Sequence, residues 1–166
     1  MKILETDRLI LRCLTTADAA FMLKLMNEPD FHRFVGDRGL RTTDDAATYL
    51  LEKILPSYAR FGFGFYRVEL KSDGSPIGMC GLVKRETLEW VDVGFAFLES
   101  FRGKGYAFES AKAVMDYGRN VFRLQRIVGV TAPDNQISIR LLEKLGLRFE
   151  KSIQLPGFGA ESLLFG

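Results

Sequence analysis

Arg102, Gly103, Lys104, Gly105, Tyr106 and Ala107 bring two cations, two glycines and the start of a helical pattern into six residues. Glycine accepts positive φ and lets a ligand approach the main chain closely. The first turn of a helix carries N–H groups without partners, and its aligned peptide dipoles add partial positive charge. With Arg102 and Lys104 alongside, the chemistry is that of a pyrophosphate cradle. Other phosphate loops fit worse. A Walker loop needs Ser or Thr after Gly-Lys and a glycine five residues ahead, but Gly105 follows Lys104 and Leu98 holds the earlier position. A dinucleotide fingerprint begun at Gly103 needs a small residue where Phe108 stands. A basic turn capping an ordinary helix is the plainer alternative.

The neighbouring elements suit a cradle. Val91, Val93, Phe95 and Phe97 alternate with Asp92, Gly94, Ala96 and Leu98, which predicts a strand over Trp90–Leu98. Ala107, Ala111, Val114, Met115 and Gly118 follow helical spacing. Upstream, Arg8–Leu14 alternates as a first strand, and Thr15 and Asp18 are spaced for a capping box before Phe21, Met22, Leu25 and Met26. Asn27-Glu28-Pro29-Asp30 stops that helix, and Phe31–Arg41 reads as a loop. Thr42 and Asp45 open a second helix through Leu55, ended or kinked by Pro56. Strands follow from Gly62 and over Ile77–Lys84, around the Ser72–Pro76 turn. Gln125–Thr131 reads as a buried strand, Pro133-Asp134-Asn135 opens a helix that Gly146 caps, and Leu147–Leu155 and Glu161–Phe165 close the chain around Pro156-Gly157-Phe158-Gly159.

The chain has 166 residues, enough for one domain with a substantial core. A formal charge of +2 with dispersed basic residues gives no support for nucleic-acid or membrane binding. Acidic residues within MKILETDRLILR argue against a targeting segment. Cys13 and Cys80 read as free thiols of a reducing cytoplasm, with no zinc-type cluster and no metal implied.

Arg102, Gly105 and Ala107 match Arg/Gln-x-x-Gly-x-Gly/Ala, and the chain's order is strand, two helices, three strands, helix, strand, helix, two strands. In both respects it resembles the GNAT superfamily of N-acetyltransferases, and Tyr106, Ala107, Glu109 and Ala111 resemble its ribosomal-protein N-terminal acetyltransferase branch. The resemblance implies a single α/β domain over 1–166, with a mixed, mostly antiparallel sheet flanked by helices and two splayed strands forming the cofactor cleft. It implies acetyl-CoA as acetyl donor. The loop from Arg102 to Ala107 would hold the pyrophosphate, and the backbone of Phe95, Phe97 and Leu98 the pantetheine arm. Val130–Leu147 resembles the family's strand–Asn–helix segment, so Asn135 would touch that arm. A plain helix cap is the alternative for Asn135.

Many members carry a Tyr seven positions after this Asn to protonate the leaving thiolate. Here that position is Leu142. Ser138 matches a Ser of the ribosomal-protein branch and is the candidate acid, or else an inert helix residue. Asp92 stands where that branch has a strand acid and is the candidate base for the amine, through water, or else a solvent-facing strand acid. Glu86, Glu89 and Glu109 lie nearby in sequence. His32, the only histidine, sits between Phe31 and Phe34. Phe31, Phe34, Tyr66 and Trp90 are either acceptor wall or core. The expected acceptor is a primary amine. A protein N-terminal amine, with a reference pKa of about 7.7–8.0, needs less help from a base than a lysine at about 10.4. A small-molecule amine is the nearest rival, and an acyl-CoA sensor without catalysis belongs to another class. A monomer or homodimer is expected.

Overall fold

In a computed structural model, residues 1–158 and 160–166 are described, so Gly159 of the last predicted turn lies outside them. The strands are β1 (Lys2–Glu5), β2 (Leu9–Cys13), β3 (Phe65–Leu70), β4 (Pro76–Val83), β5 (Val91–Phe97), β6 (Ile127–Thr131), β7 (Phe149–Ile153) and β8 (Ser162–Phe165). They form one sheet in the order β1-β2-β3-β4-β5-β6-β8-β7. Every neighbouring pair is antiparallel except β5–β6. The helices are α1 (Ala19–Met26), α2 (Pro29–Phe34), α3 (Thr43–Tyr49), α4 (Pro56–Phe61), α5 (Tyr106–Val121) and α6 (Gln136–Lys144). This is the mixed, mostly antiparallel sheet with flanking helices that the resemblance implied.

Alternation along the strands assigns their two faces. Leu9, Leu11, Val68, Leu82, Val91 and Val93 pack with Ala111, Val114 and Met115 of α5. Opposite, Met22, Leu25, Phe31 and Leu50 from the helices pack with Met79 and Leu98. A smaller cluster of Leu88, Val128 and Leu164, edged by Trp90, Val130 and Ile153, covers the β6–β8 end.

Three sequence expectations change. Lys2–Glu5 forms β1 and pairs with β2, although only four residues long. The predicted loop begins with a helix, because Pro29 takes the first helical position of α2, where its missing N–H has no role. The second predicted helix is interrupted: after α3 the backbone widens, with Leu55 N–H donating to Leu50 O at 2.9 Å, and Pro56 then opens α4. Both capping boxes form as the spacing predicts.

One buried charge locks the first helix to the sheet. Asp18 is 3% exposed and accepts from Arg12 Nη2 at 3.0 Å, Arg67 Nη1 at 2.8 Å and the Thr15 N–H at 2.9 Å. Burial alone raises a carboxyl pKa, but these donors outweigh it and hold Asp18 below the ordinary value. Its stabilisation is therefore present above the unfolded carboxylate pKa of about 3.9 and lost as pH falls through its own lower value. Asp18→Asn is expected to remove about 3 kcal/mol at pH 7. Thermal melts should show the gap between variant and parent narrowing below pH 4, and a constant gap would contradict this account.

Candidate active site

The β5–β6 ladder is short. Val91 pairs with Ile127 and Asp92 with Val128; beyond that, β5 continues along β4 while β6 continues along β8. The two strands diverge towards the carboxyl end of β5. Leu98 N–H donates to Ile77 O on the β4 side, and Leu98 O accepts from Phe101 N–H. In an antiparallel pair the backbone groups of successive residues point to opposite sides. Phe95 and Phe97 therefore turn their N–H and C=O groups away from β4, towards β6, although Phe97 O is taken by Arg102 Nε at 3.0 Å. Leu98 departs from its expectation, because its N–H and C=O already serve the fold.

At the mouth of the gap a short 3-10 turn, Glu99–Phe101, leads into the glycine loop. Gly105 is the N-cap of α5 with φ +84°, and Gly103 has φ +75° with open space where a side chain would stand. Tyr106 and Ala107 begin the helix, so their N–H groups belong to its unpaired first turn. Lys104 is exposed and has no carboxylate partner among the described residues. Arg102 does not supply the free charge expected of it. Its Nη1 bonds Asp30 Oδ2 at 2.6 Å and its Nε bonds Phe97 O at 3.0 Å, so it braces the loop against α2 and β5.

Arg8 is a loop residue that sequence reasoning missed. Its Nη1 donates to Lys104 O at 3.0 Å, its Nε to Glu109 Oε1 at 2.7 Å, and its guanidinium lies 4.4 Å from the Tyr106 ring centre. Nothing near Arg8 in the sequence signals this, because its partners lie about a hundred residues on. Glu109 is thereby committed, with Thr6 Oγ1 also donating to it at 2.5 Å.

On the opposite bank, Asn135 caps α6, with Oδ1 accepting from Ser138 N–H at 3.2 Å. Ser138 is 8% exposed, and its hydroxyl has no protein partner among the described residues. Leu142 is fully buried against Gly129, where an added Cβ would lie 2.4 Å from Leu142 Cδ2. The position expected of a family Tyr is therefore core here.

Asp92 stands in the last β5–β6 pair, where the strands begin to separate. It is not a solvent-facing strand acid: it is 2% exposed and accepts from Arg85 Nε at 2.8 Å. Burial pushes its carboxyl pKa up, and Arg85 only partly opposes the shift. Arg85 lies 5.4 Å from the Phe158 ring centre, and Arg38 lies 5.6 Å from the same ring. Arg38 Nη1 also donates to Gly157 O at 3.2 Å. Arg38, Arg85 and Phe158 come from three separate segments; Arg38 and Phe158 lie in residues 31–60 and the closing hairpin, where the resemblance puts the acceptor wall, though none was singled out by itself.

The remaining candidates divide. Glu86 is exposed, 3.7 Å from Arg60, and Glu89 is exposed too. His32 Nε2 meets Asn27 Oδ1 at 3.0 Å; because Asn27 Nδ2 donates to Leu23 O and Leu40 O, that nitrogen of His32 is the donor. Phe31 and Tyr66 are core, Tyr66 stacked on Tyr58. Trp90 lies under Arg126, and Phe34 under Arg33. Cys80 is buried, which pushes its thiol up to about 12, and Cys13 is raised by the same cause, so neither is a ready thiolate nucleophile. Among the described residues no cluster of three or more His, Cys, Asp or Glu is placed to hold a metal, and no helix is long and apolar enough to cross a membrane.

Comparison with known proteins accords with this geometry. The YkkB protein of Bacillus subtilis (strain 168) is 31% identical over 91% of this chain and 88% of its own length, and is uncharacterised. An acetyltransferase from Agrobacterium tumefaciens superposes with a TM-score of 0.84 at 25% identity, covering 99% of this chain and 92% of that one. The ribosomal L7/L12 α-N-protein acetyltransferase RimL, solved with coenzyme A, shares the fold at 17% identity, with a TM-score of 0.83 and coverage of 99% and 96%. The strand gap and glycine loop both fall within residues 8–148, which match the model of the acetyltransferase (GNAT) domain, and the chain belongs to that family of N-acetyltransferases.

Proposed function

We propose that this protein transfers the acetyl group of acetyl-CoA to a primary α-amine, such as a protein N-terminus. The observation that carries the reading is the gap between β5 and β6, with backbone groups of Phe95 and Phe97 turned towards it and the glycine loop at its mouth. The GNAT family uses acetyl-CoA, and the residues present fit that ligand. Pyrophosphate meets the N–H groups of Gly105, Tyr106 and Ala107 together with Lys104. An open groove of about 480 Å³, lined in part by Arg8, Lys112 and Lys144, adjoins the loop for the nucleotide end. Phe97 lies five residue steps along the strand from Asp92, about 17 Å at 3.3 Å per residue, which suits an extended pantetheine arm.

The acetyl thioester supplies an activated acyl carbon. The amine nitrogen attacks it, an N–C bond forms and the C–S bond breaks. Asp92 takes the amine proton, through water, and Ser138 offers a proton to the departing sulfur. Asn135 holds the start of α6 and so the position of Ser138. An α-amine suits this machinery because a share of it is already neutral near pH 7, whereas a lysine amine is almost wholly charged.

A thermal shift is the direct test. At one hundred times Kd, acetyl-CoA is expected to add about 2.7 kcal/mol, which raises Tm by roughly 5–10 °C in a chain of this size. CoA should act similarly and ATP should not. Gly105→Glu places a side chain and a negative charge at the positive-φ cap and is expected to abolish the shift. No response to either CoA species would remove the basis of the proposal. A full shift with no acetylation of any amine would point instead to an acyl-CoA sensor.

A further inference from the structure

Arginines without an anion are uncommon in this chain. Arg38, Arg123, Arg140 and Arg148 have no carboxylate within ion-pair distance among the described residues, whereas the others do. Arg123, Arg140 and Arg148 are exposed, and solvent balances their charge. Arg38 alone of the four is part-buried. It is held by the Gly157 carbonyl and the Phe158 ring, so its orientation is fixed without its charge being met.

The same ring links Arg38 to the candidate base. Phe158 lies 5.4 Å from Arg85, and Arg85 bonds Asp92 at 2.8 Å. The Arg85–Asp92 pair is neutral in sum, so Arg38 leaves one net positive charge on this patch. We propose that Arg38 receives a carboxylate of the acceptor, so that the acceptor is a small amine bearing a carboxylate or a peptide N-terminus followed by an acidic side chain. The inference rests on the acetyl-transfer reading above.

Two alternatives fit the patch less well. The phosphates of CoA lie at the other end of β5, beside Lys104 and the first turn of α5, while Arg38 is tied to the Asp92 end. A polyamine would bring a second positive charge towards Arg38, while Asp37 beside it is paired with Arg41 and Asp92 of the same patch with Arg85. A planar guanidinium with free N–H groups is suited to a carboxylate, which it binds through two parallel bonds.

The test is a thiol-release assay with acetyl-CoA and matched acceptors. One arm compares α-amino acids and ω-amino acids with their amides and with the amines lacking the carboxyl group. The other compares short peptides carrying Asp or Glu at the second position with the same peptides carrying Asn or Gln. Carboxylate acceptors are expected to exceed their neutral partners by about 10- to 100-fold in kcat/KM, the scale of a charge-assisted pair. The arm showing the larger effect identifies the source. Arg38→Gln should collapse that ratio through KM, and Arg38→Glu should invert it in favour of cationic amines. Both variants should keep the parent's acetyl-CoA-induced rise in Tm, which establishes that they are folded. Equal use of neutral partners, a ratio that survives Arg38→Gln, or acetyl-CoA binding without turnover of any carboxylate acceptor would overturn the inference. Absence of acetyl-CoA binding by the parent would instead overturn the acetyl-transfer reading beneath it.

Discussion

Asp92→Asn is expected to lower kcat/KM for the amine by about 10²- to 10⁴-fold, the usual contribution of a positioned base. The amide keeps the shape of the side chain and a contact with Arg85 but cannot take a proton. Burial has already raised the Asp92 carboxyl, so the ionised form is disfavoured in the folded chain. A folded-state pKa above the unfolded one gives a contribution that is present at low pH and lost as pH rises through the folded value. At neutral pH the charge at Asp92 therefore opposes folding, and Asn should leave Tm unchanged or higher. The joint signature is a large loss of turnover with no loss of stability. In the parent, the acidic limb of kcat/KM should lie above the ordinary carboxylate range, and in Asp92→Asn it should vanish. Full turnover with the same pH profile would exclude the base role.

Gly81→Ala is expected to have the largest effect on stability. An added Cβ would sit 2.0 Å from Gly64 O and 2.7 Å from Phe65 Cα, both backbone atoms. Neither can rotate away, and the Leu82 N–H bond to Gly64 O at 3.2 Å belongs to the same crossing. Relief requires β3 and β4 to part at the centre of the sheet. The loss should exceed about 4 kcal/mol, or roughly 10 °C or more in Tm. Gly103→Ala is the control, since nothing lies within 4 Å of its added Cβ and only the positive φ is strained, at about 1–2 kcal/mol. Similar melts for the two variants would refute the steric account.

The parts of this molecule legible in its sequence are those whose determinants are local. The alternation through Val91–Phe97, the glycines of the loop and the helical spacing from Ala107 suffice to predict strand, loop and helix in that order. Asn135 and Gly146 mark the two ends of α6 for the same reason. What escaped the sequence is assembled from afar. Arg8 joins the loop only because β2 lies beside α5, and Arg38, Arg85 and Phe158 meet only in the folded chain. Asp92 sits in a plain alternating pattern, which cannot tell a wet face from one covered by distant loops. Leu142 was correctly placed by its spacing from Asn135, but its closure in the core depends on the missing side chain of Gly129. Pro29 shows a different limit: proline ends one helix and opens another with equal ease, and the sequence reading took only the first sense.

The clamp between Arg8 and Glu109 also bears on how the chain folds. Three bonds to that acid, from Thr6 and Arg8, close a loop of about a hundred residues, and Arg8 fastens Lys104 O in the same step. Closure over such a span is slow compared with pairing β4 with β5, which are adjacent in the chain. An intermediate with β4, β5 and α5 assembled but β2 undocked would possess the glycine loop without its clamp. In a refolding experiment, recovery of ligand affinity would then trail recovery of helical signal, and the lag would time the arrival of the amino-terminal strands.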